Sequence, residues 1–215
     1  MRSDALSFVP FFLLLIRALS LTHTLSFPQI IGIEGDTVKT HGQQKQFLHR
    51  HVREIRKHHL FRNVPIWLVP ENNLGLESSH MEAFVRDLPN VHVFYEDESS
   101  REGVRKTQQN TSDYQIELEA KMRKDQVRFA DCLFTTTRKW NDKGDAPALA
   151  KAEMRSQMER YHYEIKEAKD AYGKPKYAMT GKMGGAQDDI HIALSMFNFW
   201  PPIIMQRNRH RRNGF

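Results

Sequence analysis

The sequence predicts an α/β layer protein with a mixed or partly parallel sheet, and three observations carry that expectation. Short apolar runs alternate along the chain with segments of helical periodicity. One of those runs, Val64 to Val69, opens directly into Pro70-Glu71-Asn72-Asn73. This sets an acid at the C-terminal end of a strand, where open α/β sheets place functional residues. The third is the stretch Gly181-Lys182-Met183-Gly184-Gly185-Ala186-Gln187-Asp188-Asp189, followed by apolar residues at 190, 193, 194, 197 and 200. That spacing is one face of a helix.

Taken in order, residues 1–28 admit three readings. Ala5 to Ile16 has the length and flanks of a signal-peptide core and is too short for a comfortable membrane span. The Asn110-Thr111-Ser112 sequon would suit a secreted protein. The single cysteine and the lack of a small-x-small cleavage site near residue 20 oppose secretion, so an intracellular place, nuclear or cytoplasmic, is favoured. In the third reading Leu6 to Ile16 is a remnant of a core strand. Gln29 to Glu34 reads as a buried strand ending at Gly35-Asp36. Thr40 to His59 is an amphipathic helix with Phe47, Leu48, Val52 and Ile55 inside and its arginines and histidines, among them His49, His51, His58 and His59, on the surface.

Val64 to Val69 reads as a central strand covered on both faces, with Pro65 tolerated only at its start. A helix over Glu77 to Leu88 and a strand over Val91 to Tyr95 follow. Next the charged loop Glu96 to Glu102 leads to Gly103-Val104-Arg105-Lys106-Thr107, and a helix runs from Asp113 to Lys124 with Tyr114, Ile116, Leu118 and Met122 as its apolar contacts. Gln126 to Phe129 is a short strand, Arg138 to Ala148 a polar loop, and Met154 to Ala171 a charged helix broken by Gly173-Lys174-Pro175. Tyr177 to Met179 extends briefly, and Pro201-Pro202 is expected to stop the last helix. The organisation is thus an N-terminal apolar segment over 1–28, one domain over 29–200 and a basic tail over 201–215.

At 215 residues the chain can bury a full core, and 27% charged residues make it too polar for a multi-span membrane protein. A net charge of +6, concentrated in part at Arg207, Arg209, Arg211 and Arg212, permits a polyanionic partner. Cys132 stands alone, which excludes an intrachain disulfide and a cysteine-based zinc site. No G-x-x-x-x-G-K-[ST] loop occurs, so no ATP site of that type is encoded.

Two acids in a helix's first turn suit its positive end, so Asp188-Asp189 taken alone is also an acidic cap behind a glycine loop. Glu71 taken alone is also part of a turn capped by asparagines. Together they offer hard oxygen ligands on two rigid elements, as a magnesium or manganese site for phosphodiester chemistry requires.

The ordered set of strand, Glu71-Asn72-Asn73, helix, strand, Gly103-Val104-Arg105-Lys106-Thr107, helix, short strand and Gly181-Lys182-x-Gly184-Gly185-x-x-Asp188-Asp189 resembles the C-terminal nuclease domain of large terminase subunits of tailed phages and herpesviruses. The resemblance covers roughly residues 29 to 200. It implies an RNase H-like mixed sheet flanked by helices, carrying three acidic clusters that hold two Mg2+ or Mn2+ ions for cutting DNA. Glu71 matches the second cluster, and Asp188 or Asp189 the third. Lys182, Arg105 and Lys106 would steady DNA phosphates through contacts blind to base sequence, or be ordinary solvated charges. The first cluster, an Asp-Pro motif with glycines, has no match: Asp4 lacks the flanking pattern, and Glu34 and Asp36 end a different strand. Two ions about 3.5–4 Å apart need a shared anionic ligand. The resemblance therefore implies either a metal-dependent endonuclease domain, inactive if that ligand is lacking, or a nucleic-acid-binding or assembly module with the same fold.

Overall fold

The computed structural model describes residues 11–16, 29–35, 40–72, 81–95, 103–105, 107–135, 137–169, 175–181 and 188–213. The elements run β1 (Phe11–Ile16), β2 (Gln29–Gly35), α1 (His41–Lys57), β3 (Ile66–Leu68), β4 (Glu71–Asn72), α2 (Met81–Val85), β5 (Val91–Val93), β6 (Val104–Arg105), α3 (Gln108–Arg123), β7 (Arg128–Phe134), α4 (Arg138–Asn141), α5 (Ala146–Arg160), β8 (His162–Lys169), β9 (Pro175–Thr180) and α6 (Asp189–Asn213). They fall into two compact units, one centred on Thr37–Lys106 and the other on Phe11–Asp36 with Thr107–Met205.

In the first unit a reciprocal cap starts α1: Gln43 N–H donates to Thr40 Oγ1 at 3.2 Å, and Thr40 N–H donates to Gln43 Oε1 at 3.2 Å. Phe47, Leu48, Val52 and Ile55 are buried, as their spacing requires, and so is His51. The surface assignment of His51 is therefore corrected: its Nδ1–H donates to the Phe47 carbonyl one turn back at 2.6 Å, which lets an imidazole share the apolar stripe. At the helix end, Arg56 donates to the carbonyls of Phe61, Arg62, Val64, Pro89 and Asn90. Desolvation holds its guanidinium pKa below the ordinary value.

Strands β3 and β5 pair in parallel, Ile66 opposite Val91. Here one face only is covered: Trp67 is 37% exposed and stacks on His92 with ring centroids 4.8 Å apart. The expectation of burial on both faces fails because an outward tryptophan reads as apolar while its partner is a polar ring.

The strand line then changes partner. Phe94 N–H donates to Leu68 O at 2.8 Å, Gly103 N–H to Phe94 O at 2.7 Å, and Val104 N–H to Pro70 O at 2.8 Å. Beyond that, β4 pairs in parallel with β6, Glu71 opposite Val104 and Asn72 opposite Arg105. Pro70 brings no N–H of its own, so the handover relies on its carbonyl. Gly103 has φ +82°, and a Cβ there would overlap that carbonyl oxygen and lie 2.8 Å from Pro70 Cγ. Glycine alone meets both conditions.

In the second unit a three-stranded sheet has the order β1-β2-β7, with β1 antiparallel and β7 parallel to β2. The apolar run Phe11–Ile16 is a sheet strand paired with β2. Ile30, Ile33, Leu118, Leu133, Trp140, Ala150, Ile190 and Leu194 form its core.

Helix α3 starts earlier than expected, because Thr107 Oγ1 accepts from Asn110 N–H at 3.1 Å. Tyr114 and Leu118 are buried, whereas Ile116 is 60% and Met122 41% exposed. The expected polar loop over 138–148 is α4 and the start of α5. Asp145 Oδ1 accepts from Ala148 N–H at 3.4 Å, and Pro147 sits in the first turn, where a missing N–H costs nothing. The charged helix expected to reach Ala171 ends at Arg160, and β8 pairs antiparallel with β9, His162 opposite Thr180. Tyr163 and Ile165 alternate with Glu164 and Lys166, a period of two that the charge density conceals.

Pro201-Pro202 does not stop α6, which continues to Asn213. An N–H at position 202 would have donated to the carbonyl of Asn198; the Lys121 ammonium on α3 donates there instead, and also pairs with Glu117 Oε1 at 3.0 Å.

Candidate functional site

The two acidic signals lie in different units and are built in different ways. Glu71 opens β4, held against Val104 by the partner change at Pro70, and is half-buried. Its neighbour Asn72 is the second strand residue, opposite Arg105. Two stretches singled out in the sequence, Glu71-Asn72 and Gly103-Val104-Arg105, are therefore adjacent parallel strands. The backbone of Arg105 is thus placed, while Asn73, Lys106 and Lys182 lie outside the described residues.

Asp188 and Asp189 begin α6 as the sequence predicts. The Asp188 carbonyl accepts the first helical bond, from Ile192 N–H at 2.9 Å, which makes Asp188 the N-cap and Asp189 the first helical residue. Asp188 is 2% exposed, and its Oδ2 accepts from Gly181 N–H at 3.3 Å. A Cβ on Gly181 would lie 3.0 Å from Asp188 Cβ and 3.2 Å from Tyr161 Cδ2, so this glycine permits the close approach. Asp189 is half-buried.

The helix start is also tied to α5, through a residue that sequence reading missed. Gln157 is fully buried, and its Oε1 accepts from Ile190 N–H at 2.8 Å and from His191 N–H at 3.2 Å. Its Nε2 donates to Glu153 Oε1 at 2.9 Å, which fixes which end of the amide faces α6. A glutamine inside a charged helical run carries no signal of this task. His191 is buried too, with Nε2 2.7 Å from Gln115 Oε1 and its ring 3.9 Å from that of Tyr161. Glu34, expected at a strand end, is 1% exposed on β2.

Among the described residues no group of three or more His, Cys, Asp or Glu side chains gathers to hold a metal ion. The donors present at the two acidic points are carboxylate oxygens, which fit a hard cation such as Mg2+ or Mn2+ and not a thiolate-seeking metal.

The outer face of α1, opposite its buried stripe, carries Lys45, His49, Arg50, Arg53 and Glu54 along a groove of about 520 Å3. Lys45 pairs with Asp87 at 3.3 Å, Glu54 with Lys57 at 2.6 Å, and His49 Nε2–H donates to Phe84 O at 2.6 Å. The Arg50 guanidinium lies 5.3 Å from the centroid of the Phe47 ring.

The mixed helix and strand architecture, with its small sheets, matches an RNase H-like nuclease fold. Three solved structures give the likeness a more particular form. The human cytomegalovirus terminase nuclease domain aligns over 93% of this chain and 87% of its own, with a TM-score of 0.52 and 13% identity. Its Mn-soaked form aligns over 81% of this chain and 72% of its own, with a TM-score of 0.53 and 13% identity. The Mn-soaked, inhibitor-bound form covers 81% and 70%, with a TM-score of 0.52 and 13% identity. The chain has a terminase nuclease-like fold. No protein-family model and no curated protein sequence matches it.

Proposed function

We propose that this chain is a divalent-metal-dependent DNA endonuclease domain of the terminase type. The observation that carries the reading is the acidic start of α6: a buried carboxylate held by a backbone N–H, on a fold shared with a nuclease domain that was soaked with Mn. In this reading Glu71 on β4, and Asp188 with Asp189 at the start of α6, are each acids that offer carboxylate oxygens to a hard cation. Mg2+ or Mn2+ bound there would lower the pKa of the attacking water and stabilise the leaving 3′ oxygen. The protein's part is to hold the acids, through Gly103 for Glu71 and Gly181 for Asp188, and to receive the phosphate backbone on basic side chains. Lys182, Arg105 and Lys106 belong to that last group on sequence grounds.

A second reading, a nucleic-acid-binding or assembly module without cutting activity, is supported by the basic face of α1. Nicking of supercoiled plasmid in Mn2+ by the full chain separates the two. Glu71→Ala and Asp188→Ala should each lower the rate by about 100-fold or more, the scale on which metal-site shells act. If both variants cut as fast as the parent, the assigned acids are wrong. A parent that binds DNA with a steep salt dependence and never nicks it supports the second reading.

A further inference from the structure

We infer that Gln157 is a positioning residue that takes over the capping of α6, and so keeps the Asp188 carboxylate for a metal ion. The inference rests on the reading of Asp188 as a metal ligand. An aspartate at an N-cap ordinarily turns its carboxylate back onto the second and third backbone N–H groups of its own helix. Those groups here belong to Ile190 and His191, and both donate to Gln157 Oε1, at 2.8 and 3.2 Å. A carboxamide from α5 thus satisfies the two donors that compete hardest for the acid.

The assignment of the amide is not ambiguous. Both groups on the α6 side are donors, and on the other side Glu153 Oε1 takes the amide N–H at 2.9 Å. The Asp188 carboxylate turns the other way, toward the backbone of Gly181, where the missing Cβ leaves it space. A neutral cap also matters electrostatically. The positive helix end stabilises the adjacent acids without a second buried anion at the same N–H groups.

The test uses the full chain and reads Mn2+ binding by calorimetry, beside apo crystal structures of the variants. Gln157→Met keeps length and apolar volume but offers no acceptor to the two buried N–H groups. In its apo structure the Asp188 carboxylate should rotate onto Ile190 and His191 N–H, and Mn2+ affinity should fall 10- to 100-fold, the usual range for residues that orient metal ligands. The exchange pair Glu153→Gln with Gln157→Glu keeps an acceptor facing α6, so in its apo structure the Asp188 carboxylate should stay off the Ile190 and His191 N–H groups, while the added anion beside Asp188 is not expected to preserve the parent's affinity. If Gln157→Met does not fold, Gln157→Asn, which withdraws the acceptor by one methylene, carries the same two readouts.

A variant that is merely less stable, with the carboxylate unmoved and Mn2+ affinity unchanged, overturns the inference while Asp188→Asn still abolishes binding. If Asp188→Asn leaves Mn2+ binding unchanged, the metal-ligand reading itself falls and takes this inference with it.

Discussion

Gly103→Ala tests how Glu71 is held, and Gly144→Ala is its control. Both glycines have positive φ, +82° and +112°, but they differ in surroundings. At Gly144 an added Cβ meets nothing within 4 Å, whereas at Gly103 it overlaps the Pro70 carbonyl and lies 2.8 Å from Pro70 Cγ. Placing an L side chain in the left-handed region costs about 1–2 kcal/mol, and both variants carry that cost. Only Gly103→Ala must also push the strands apart, which breaks the Val104 N–H to Pro70 O bond of 2.8 Å and strains the two-residue pairing beyond it. A hydrogen bond of this kind contributes about 0.5–1.5 kcal/mol, and forced overlap costs about 1–3 kcal/mol. The difference between the variants should therefore be about 1.5–4.5 kcal/mol. Amide exchange at Phe94 and Val104 reads it locally: at tenfold per 1.36 kcal/mol, Gly103→Ala should exchange roughly 10-fold faster or more than Gly144→Ala. Equal exchange in the two variants would refute the close approach of Gly103 to Pro70, and with it this account of how Glu71 is placed.

Lys121→Met should destabilise the second unit by about 1.5–3 kcal/mol, because the Asn198 carbonyl loses a charged donor where Pro202 supplies none. Unfolding in urea measures the loss, and faster amide exchange just beyond Pro202 locates it; unchanged protection there would show that the lysine does not bridge the prolines. Arg50→Gln with Arg53→Gln should reduce the slope of log binding constant against log salt by about 1.8 if both arginines touch DNA phosphates, since each contact adds about 0.9. An unchanged slope, measured by filter binding on duplex DNA, would remove α1 from the DNA-binding surface.

Strand and helix positions with strong periodicity were legible from the residues: α1 with its buried Phe47, Leu48, Val52 and Ile55, β2, and the start of α6 at Asp189. The acid at the end of β3–β4 was legible for the same reason, since a solid apolar run stopping at Pro70-Glu71 leaves little choice of element. What escaped is either hidden by composition or held by partners that the local pattern does not reveal. The β8–β9 hairpin hides its alternation under lysines and glutamates whose helix propensity is high. The passage of α6 through two prolines depends on a lysine that reaches the Asn198 carbonyl from 77 positions away in sequence. His51 becomes buried because a carbonyl one turn back receives its ring N–H, and Gln157 acts on α6 across 33 positions. None of these dependencies leaves a local trace that composition or periodicity can register.

Helix α6 is fastened at its beginning by Gln157, one step further by His191 against Gln115, and again near its middle by Lys121 and by Trp200 Nε1–H donating to Tyr114 OH at 3.1 Å. Several bolts drawn from two neighbouring helices leave a rod unable to slip or spin. The direction in which Asp188 and Asp189 face is consequently set in part by residues about ten positions, or roughly 15 Å, down the helix axis. A change as remote as Trp200 can thus re-aim the acids without touching them.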